Sequence, residues 1–138
     1  MKLEKHEAKH IWRGRQRHYL TPDGETLPGV TTVLSATEDK SGLDAWRKRV
    51  GDDEADRIMH EGCARGTAVH AAIEAILTGT TGVDLDEAYT PFLASLTDVL
   101  DAIEDVHLIE GAVWSPRGYA GSADALVTVG GELCLIDW

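Results

Sequence analysis

The chain has 138 residues, of which 43% are hydrophobic and 27% charged, and it carries a formal net charge of −11. This length and composition predict one globular domain or part of one, and they argue against a membrane protein because no apolar run approaches the roughly 20 residues that a bilayer requires. The negative total also argues against a generic non-specific DNA-binding protein, which is usually basic.

The charge is unevenly placed along the chain. Residues 1–50 hold ten Lys/Arg and seven Asp/Glu, whereas residues 51–138 hold three Lys/Arg and seventeen Asp/Glu. The N-terminal cations suit an arm that contacts phosphates; they are Lys2, Lys5, Lys9, Arg13, Arg15 and Arg17. A solubilising terminus is the alternative, and charge alone favours it.

Turn and helix signals organise the first part of the chain. We expect a β-hairpin over residues 16–30, because the turn-forming stretch TPDGE lies between two extended segments. The stretch VTTVLSAT then predicts a short helix with Thr31 or Thr32 as its N-cap. The stretch SGLDAWRKRVG predicts a second helix, which ends at Gly51.

Three further helices are expected in the middle of the chain. Asp52 is the expected cap of a short one, and the apolar period of RGTAVHAAIEAILTG predicts a separate one that ends at Gly79. Thr90 followed by Pro91 is typical of a helix start, and the apolar period that follows predicts a long helix to about His107.

The pattern changes to strands in the C-terminal part of the chain. We expect strands over residues 108–115, 119–129 and 132–138. Helices followed by an antiparallel meander indicate an α+β domain with a mixed sheet, rather than a repeating βαβ fold.

A hairpin count places two aspartates side by side. The glycine pair at 130–131 predicts a two-residue loop, so that Val129 pairs with Glu132 and, further out, Asp124 faces Asp137. Like charges directly opposed destabilise a sheet, and a divalent cation between the carboxylates removes that problem. The alternative is an exposed aspartate pair at an edge, and a slip of one residue would break the pairing.

Three other side chains are candidate ligands. His70 and Glu74 are i, i+4 neighbours on a predicted helix, although a single histidine is more often structural. Glu110 lies in the predicted strand HLIEGAVWS, and its spacing leaves open which face of the sheet it occupies.

Four stretches, taken together and in order, resemble a known family. They are LPGVTTVL, RGTAVHAAIE, EGAVW…YAGSADALV and LIDW, spread over roughly residues 27–138. They are similar to the PD-(D/E)XK nuclease superfamily in its RecB-like exonuclease branch, which includes phage recombination exonucleases and the mitochondrial genome maintenance exonuclease. The resemblance implies a restriction-endonuclease-like mixed sheet flanked by helices. It also implies Mg²⁺- or Mn²⁺-dependent exonuclease hydrolysis of DNA in phage recombination, repair or replication.

The resemblance also assigns roles to residues of the active site. It makes Asp124 the first metal-binding aspartate, Asp137 the acidic residue of the D-x-K element, and His70 a further metal ligand. Glu74 matches a catalytic acidic position on the helix of His70, and the backbone carbonyl of Trp138 is a candidate metal ligand.

Other roles concern the substrate. Arg65 and Thr67 match the start of a helix, where phosphate contacts are expected. The local positive charge, rather than the resemblance, makes Arg13, Arg15 and Arg17 the candidate DNA-contacting residues of the arm. Glu110 matches a recurring strand glutamate that holds the metal through water.

The D-x-K element requires a lysine directly after Trp138, where the sequence ends. We therefore expect a basic arm and hairpin over residues 1–30 and the N-terminal part of the nuclease domain, incomplete at its C-terminus, over residues 31–138. We expect this chain alone to be inactive and to self-associate through its truncated sheet. A cytoplasmic location in a bacterial or phage-infected cell follows from the resemblance, and the isolated Cys63 and Cys134 fit a reducing compartment.

Two alternatives stand beside the nuclease. One is a non-catalytic nucleic-acid-binding or interaction module that keeps the fold without the lysine. The other is a structural zinc domain built on His60, Cys63 and His70 with Cys134, although this spacing matches no standard finger.

Overall fold

The computed structural model describes residues 2–138. It divides into two compact units: the first contains the residues up to Glu38 together with Ala102–Trp138, and the second contains Asp39–Asp101. The first unit carries two three-stranded antiparallel sheets, and most of the helical residues lie in the second. The expected α+β class is therefore confirmed at this level.

The smaller sheet lies at the N-terminal end of the first unit. Its strands are β1 (Lys9–Arg13), β2 (Gln16–Leu20) and β3 (Thr26–Pro28), paired in that order. The hairpin expected over residues 16–30 is confirmed, because Tyr19 pairs with Leu27 across β2 and β3. Strand β1 was not predicted, since most of its residues are exposed and no apolar alternation marks it.

The larger sheet is a meander of three strands. They are β4 (Ile103–Ser115), β5 (Tyr119–Val129) and β6 (Glu132–Ile136). The register expected from the glycine pair at 130–131 is confirmed, with Val129 opposite Glu132 and Ala125 opposite Ile136. The last strand is shorter than expected, because β6 ends at Ile136 and Asp137 lies beyond the last ladder pair.

One face of β5 forms the core of the first unit. Ala123, Ala125 and Val127 are buried, whereas the residues between them are half-buried, as the two-residue period of a strand requires. Helix α1 (Val30–Thr37) and strand β3 both contact β5.

Close backbone packing joins the two sheets at Gly29. This residue bridges to Ala120 of β5, and a Cβ atom there would lie 3.1 Å from both the carbonyl oxygen of Arg17 and the ring of Tyr19. Gly29 is also the N-cap of α1, without any side-chain cap. The expected threonine cap is therefore wrong: the hydroxyl of Thr32 instead donates to the Arg17 carbonyl at 3.0 Å.

The second unit is helical. Its α-helices are α2 (Ser41–Val50), α3 (Asp52–Thr78), α4 (Thr90–Ala94) and α5 (Thr97–Asp101). The expected ends at Gly51 and Gly79 are confirmed: both residues adopt positive φ angles, of 88° and 69°, that favour glycine.

Two of the expected helices form one continuous helix, α3. Gly51 is its N-cap and Asp52 lies inside its first turn, so the prediction of two helices with Asp52 as a cap is wrong. The stretch contains no proline, and Gly62 and Gly66 each cost a helix only about 1 kcal/mol.

The long helix expected from Thr90 to about His107 is also wrong. It is replaced by the short α4 and α5, and β4 already begins at Ile103. The apolar residues of this stretch follow the helical period, and pairing with β5 favours the extended conformation of β4 over that local pattern. Within residues 2–138, no helix has the length and apolarity that crossing a bilayer would need.

Candidate functional site

Two carboxylates from neighbouring strands form the centre of the candidate site. The ladder pairs Ile109 with Ala125 and Gly111 with Ala123, so Glu110 of β4 lies opposite Asp124 of β5. A carboxylate oxygen of Glu110 lies within 4.8 Å of one of Asp124, and both side chains are half-buried. The pair belongs to a single sheet in the first unit, which sets its spacing through the strand register.

Glu110 has an unusual backbone conformation. Its φ angle of 46° is the one positive value at a non-glycine residue among residues 2–138. An L-residue in this left-handed region is disfavoured by about 1–2 kcal/mol, and such strain is concentrated at functional sites. The conformation coincides with one of the positions of β4 that has no ladder pair with β5.

Gly111 gives Leu108 room to pack beside Glu110. A Cβ atom on Gly111 would lie 2.5 Å from Cδ1 of Leu108, which is closer than real Cβ contacts allow. Leu108 itself is 6% exposed. Glycine is therefore required at this position, directly after the glutamate, if Leu108 is to stay where it is.

Asp124 is oriented by the chain that follows β6. The backbone N–H of Trp138 donates to Oδ2 of Asp124 at 2.9 Å. This bond ties the carboxylate of β5 to the segment just past the last ladder pair, Ala125 with Ile136.

Asp137, which was expected to face Asp124 within the ladder, follows the end of β6 and is exposed. The carboxylate that lies opposite Asp124 on the neighbouring strand is that of Glu110, whose orientation the sequence left open. The signal was nevertheless there: counting outward from Ser115 opposite Tyr119 gives Glu110 opposite Asp124.

The donor set of the pair is compatible with a hard cation. Two carboxylate groups supply oxygen ligands, which suit Mg²⁺, Mn²⁺ or Ca²⁺ rather than softer metals. At their observed separation two ionised groups repel each other, and a bound divalent cation would offset that repulsion.

His70 and Glu74 lie on α3 in the second unit. Both are half-buried, and they stand one helical turn apart on one side of the helix, next to the buried Val69 and Ile73. Their expected roles as metal ligand and catalytic acid stay predictions.

Arg65 and Thr67 lie in the middle of α3, so their expected placement at a helix start is wrong. Backbone N–H groups inside a helix are already bonded and cannot bind a phosphate. The hydroxyl of Thr67 donates to the carbonyl of Cys63 at 3.0 Å, and the guanidinium of Arg65 lies 4.4 Å from the ring centre of Phe92. A phosphate contact by either side chain stays a prediction.

The zinc alternative is contradicted by the course of α3. Ten residues of helix separate His60 from His70, which is about 15 Å at the rise of an α-helix, too far to share one ion. Among residues 2–138, His60 and Cys63 join no group of metal-ligating atoms.

The arginines of the expected basic arm lie at one end of the smaller sheet. Arg13 ends β1, Arg15 lies in the tight turn that follows, and both are exposed, whereas Arg17 on β2 is half-buried. They belong to a hairpin of β1 and β2, and not to an unstructured tail.

Comparison with known protein families and with curated proteins finds no match to this chain.

Proposed function

We propose that the chain belongs to a metal-dependent DNA exonuclease of the PD-(D/E)XK superfamily. The observation that carries this proposal is the half-buried pair of Glu110 and Asp124 on adjacent strands. It lies inside the two stretches, EGAVW and AGSAD, that resemble strand motifs of this family. DNA is the substrate and partner, and recombination or repair in a phage or bacterial setting is the process.

The proposal includes a restriction-endonuclease-like fold. Its support is the order of elements, in which the long α3 precedes the antiparallel meander of β4, β5 and β6. The same order of a helix and three antiparallel strands is what the family resemblance implies.

Glu110 and Asp124 would hold Mg²⁺ or Mn²⁺ as oxygen ligands. When bound, such an ion polarises a phosphodiester and lowers the pKa of a coordinated water. The resemblance implies four further groups at the site: Asp137, the Trp138 carbonyl, His70 and Glu74.

The chain's own residues position these ligands. The N–H of Trp138 fixes one oxygen of Asp124, and the ladder pairs on either side of Glu110 set the distance between the strands. A positive φ angle at Glu110 persists only where the surrounding packing enforces it. A carboxylate held in this way would need little reorganisation on binding a cation.

The proposal is tested first by metal binding. Calorimetric titration with Mn²⁺ should show a site that Glu110→Gln and Asp124→Asn each weaken by at least tenfold. Glu132→Gln and Asp84→Asn remove one exposed carboxylate each, in β6 and in a loop, and should bind Mn²⁺ as the wild type does. Equal Mn²⁺ affinity in all five proteins would refute the metal site.

Cleavage is the second test. Degradation of linear DNA in Mn²⁺ is measured for the chain and for a version with a lysine added after Trp138. The resemblance predicts that the lysine raises the rate and that Asp124→Asn abolishes it.

The alternative function is a nucleic-acid-binding module without catalysis. The basic β1–β2 hairpin in an otherwise acidic chain favours this candidate. It would be supported if both versions bind DNA and neither degrades it in Mn²⁺.

A further inference from the structure

One face of the β1–β2 hairpin alternates aromatic and cationic side chains. Trp12 pairs with Arg17 and His10 pairs with Tyr19, so all four side chains lie on the same face. The guanidinium of Arg17 lies 5.5 Å from the ring centre of Tyr19, and the rings of His10 and Tyr19 meet edge to face at 4.8 Å. We call these four residues the hairpin face.

Trp12 is the accessible part of the hairpin face. It is 64% exposed, whereas Tyr19 below it is 3% exposed and anchors the strand in the core. A tryptophan held on a paired strand offers a flat, rigid surface to a ligand at little entropic expense. Arg17, directly opposite, places a cation beside that surface.

The charge around the hairpin face indicates the ligand. Residues Lys9–Leu20 contain four Lys/Arg and no Asp or Glu, in a chain whose formal net charge is −11. Arg13 and Arg15 add exposed cations at the tip of the hairpin. The complementary ligand is thus a polyanion that also has exposed aromatic planes, which describes a nucleic acid with unpaired bases.

We propose that the hairpin face binds single-stranded DNA, with one base stacked on Trp12 and the adjacent phosphates held by Arg17 and the tip arginines. The choice of DNA rests on the proposed nuclease function. A duplex keeps its bases stacked on one another, so Trp12 discriminates in favour of unpaired ends.

The test measures binding of an oligothymidine about 10 nucleotides long by fluorescence anisotropy in EDTA, so that no cleavage occurs. Trp12→Ala should weaken binding about tenfold, while Trp12→Phe, which keeps an aromatic plane, should retain most of the affinity. Arg17→Ala should also lower the salt dependence of binding. The control Arg117→Ala removes an exposed arginine from the turn between β4 and β5 and should bind as the wild type does.

Wild-type affinity in Trp12→Ala would overturn the inference, as would tighter binding of a duplex or of anionic vesicles than of the oligothymidine. Tighter binding of oligouridine would assign the face to RNA and refute the DNA assignment. Binding that depends on Trp12 without any Mn²⁺-dependent cleavage would sustain the hairpin face and refute the nuclease. Cleavage that depends on Asp124, with unchanged DNA binding in Trp12→Ala, would sustain the nuclease and refute the role of the hairpin face.

Discussion

Asp124 accepts the backbone N–H of Trp138 through Oδ2 at 2.9 Å. The bond joins the middle strand of the larger sheet to the segment just past its last strand. A candidate metal ligand therefore also has a structural role, and its two roles can be separated by the choice of substitution.

Asp124→Asn keeps an oxygen that can accept the N–H of Trp138, whereas Asp124→Ala removes it. In the alanine variant the half-buried N–H of Trp138 loses its acceptor. We therefore expect the free energy of unfolding to be about 1–2 kcal/mol lower in the alanine variant than in the asparagine variant. Urea denaturation of both proteins measures the difference. Equal stability would show that the bond to Trp138 contributes nothing to folding.

Glycine should be better tolerated than alanine at position 110. The φ angle of 46° disfavours any residue with a Cβ atom. We therefore expect Glu110→Gly to be more stable than Glu110→Ala by about 1 kcal/mol. At Ala112, two residues along β4, the preference should reverse, so that Ala112→Gly destabilises the protein by about 0.5–1 kcal/mol. Thermal unfolding of the three variants decides the matter, and the prediction fails if position 110 prefers alanine.

Gly111→Ala should destabilise the protein by about 1–3 kcal/mol through overpacking. The new methyl group would meet the side chain of Leu108, which is nearly buried. Leu108→Ala removes the atoms that clash with the new methyl group. The double variant should therefore lose less stability than the sum of the losses in the two single variants. Gly62→Ala is the matched control: this glycine lies in α3 with no atom within 4 Å of its Cβ position. That substitution should stabilise the helix by about 0.5–1 kcal/mol. If the losses of stability from Gly111→Ala and Leu108→Ala simply add in the double variant, the proposed clash between these residues is refuted.

The helical unit should lose stability in acid. Hydrogen bonding from the Arg57 guanidinium lowers the pKa of Glu54 below its ordinary value of 4.5. A carboxyl group with a lowered pKa contributes stability above its ordinary pKa, and that contribution disappears as the pH falls through the lowered value. Helix content followed by circular dichroism should therefore decline below about pH 4.5. Glu54→Gln should make the decline shallower, while Glu132→Gln, far along the chain in β6, should not change it. A steeper decline in Glu54→Gln would contradict the assignment.

Local chemistry was enough to predict several elements from the sequence. Glycines that adopt positive φ end α2 at Gly51 and α3 at Gly79, and the glycine pair at 130–131 sets the register of β5 with β6. In each case a few adjacent residues determine the backbone. For that reason the ladder from Val129 to Ala125 has the register that a two-residue loop at the glycine pair predicts.

Other features depend on residues that are distant in the chain. The segment that begins at Ile103 continues the helical period, and pairing with β5 makes it a strand. Strand β1 is recognisable only through its pairing with β2. The exposure of Trp12 likewise follows from the packing of the whole hairpin.

The candidate site combines both kinds of information. The sequence motifs identified Asp124 as a candidate metal ligand. They did not determine which face of the sheet Glu110 occupies. Its position depends on a left-handed residue inside a strand, beside a glycine that accommodates Leu108. A strained backbone conformation is disfavoured locally and persists only where surrounding packing enforces it. Local sequence therefore determined turns, helix ends and the β5–β6 register, whereas tertiary packing decided how the two carboxylates meet.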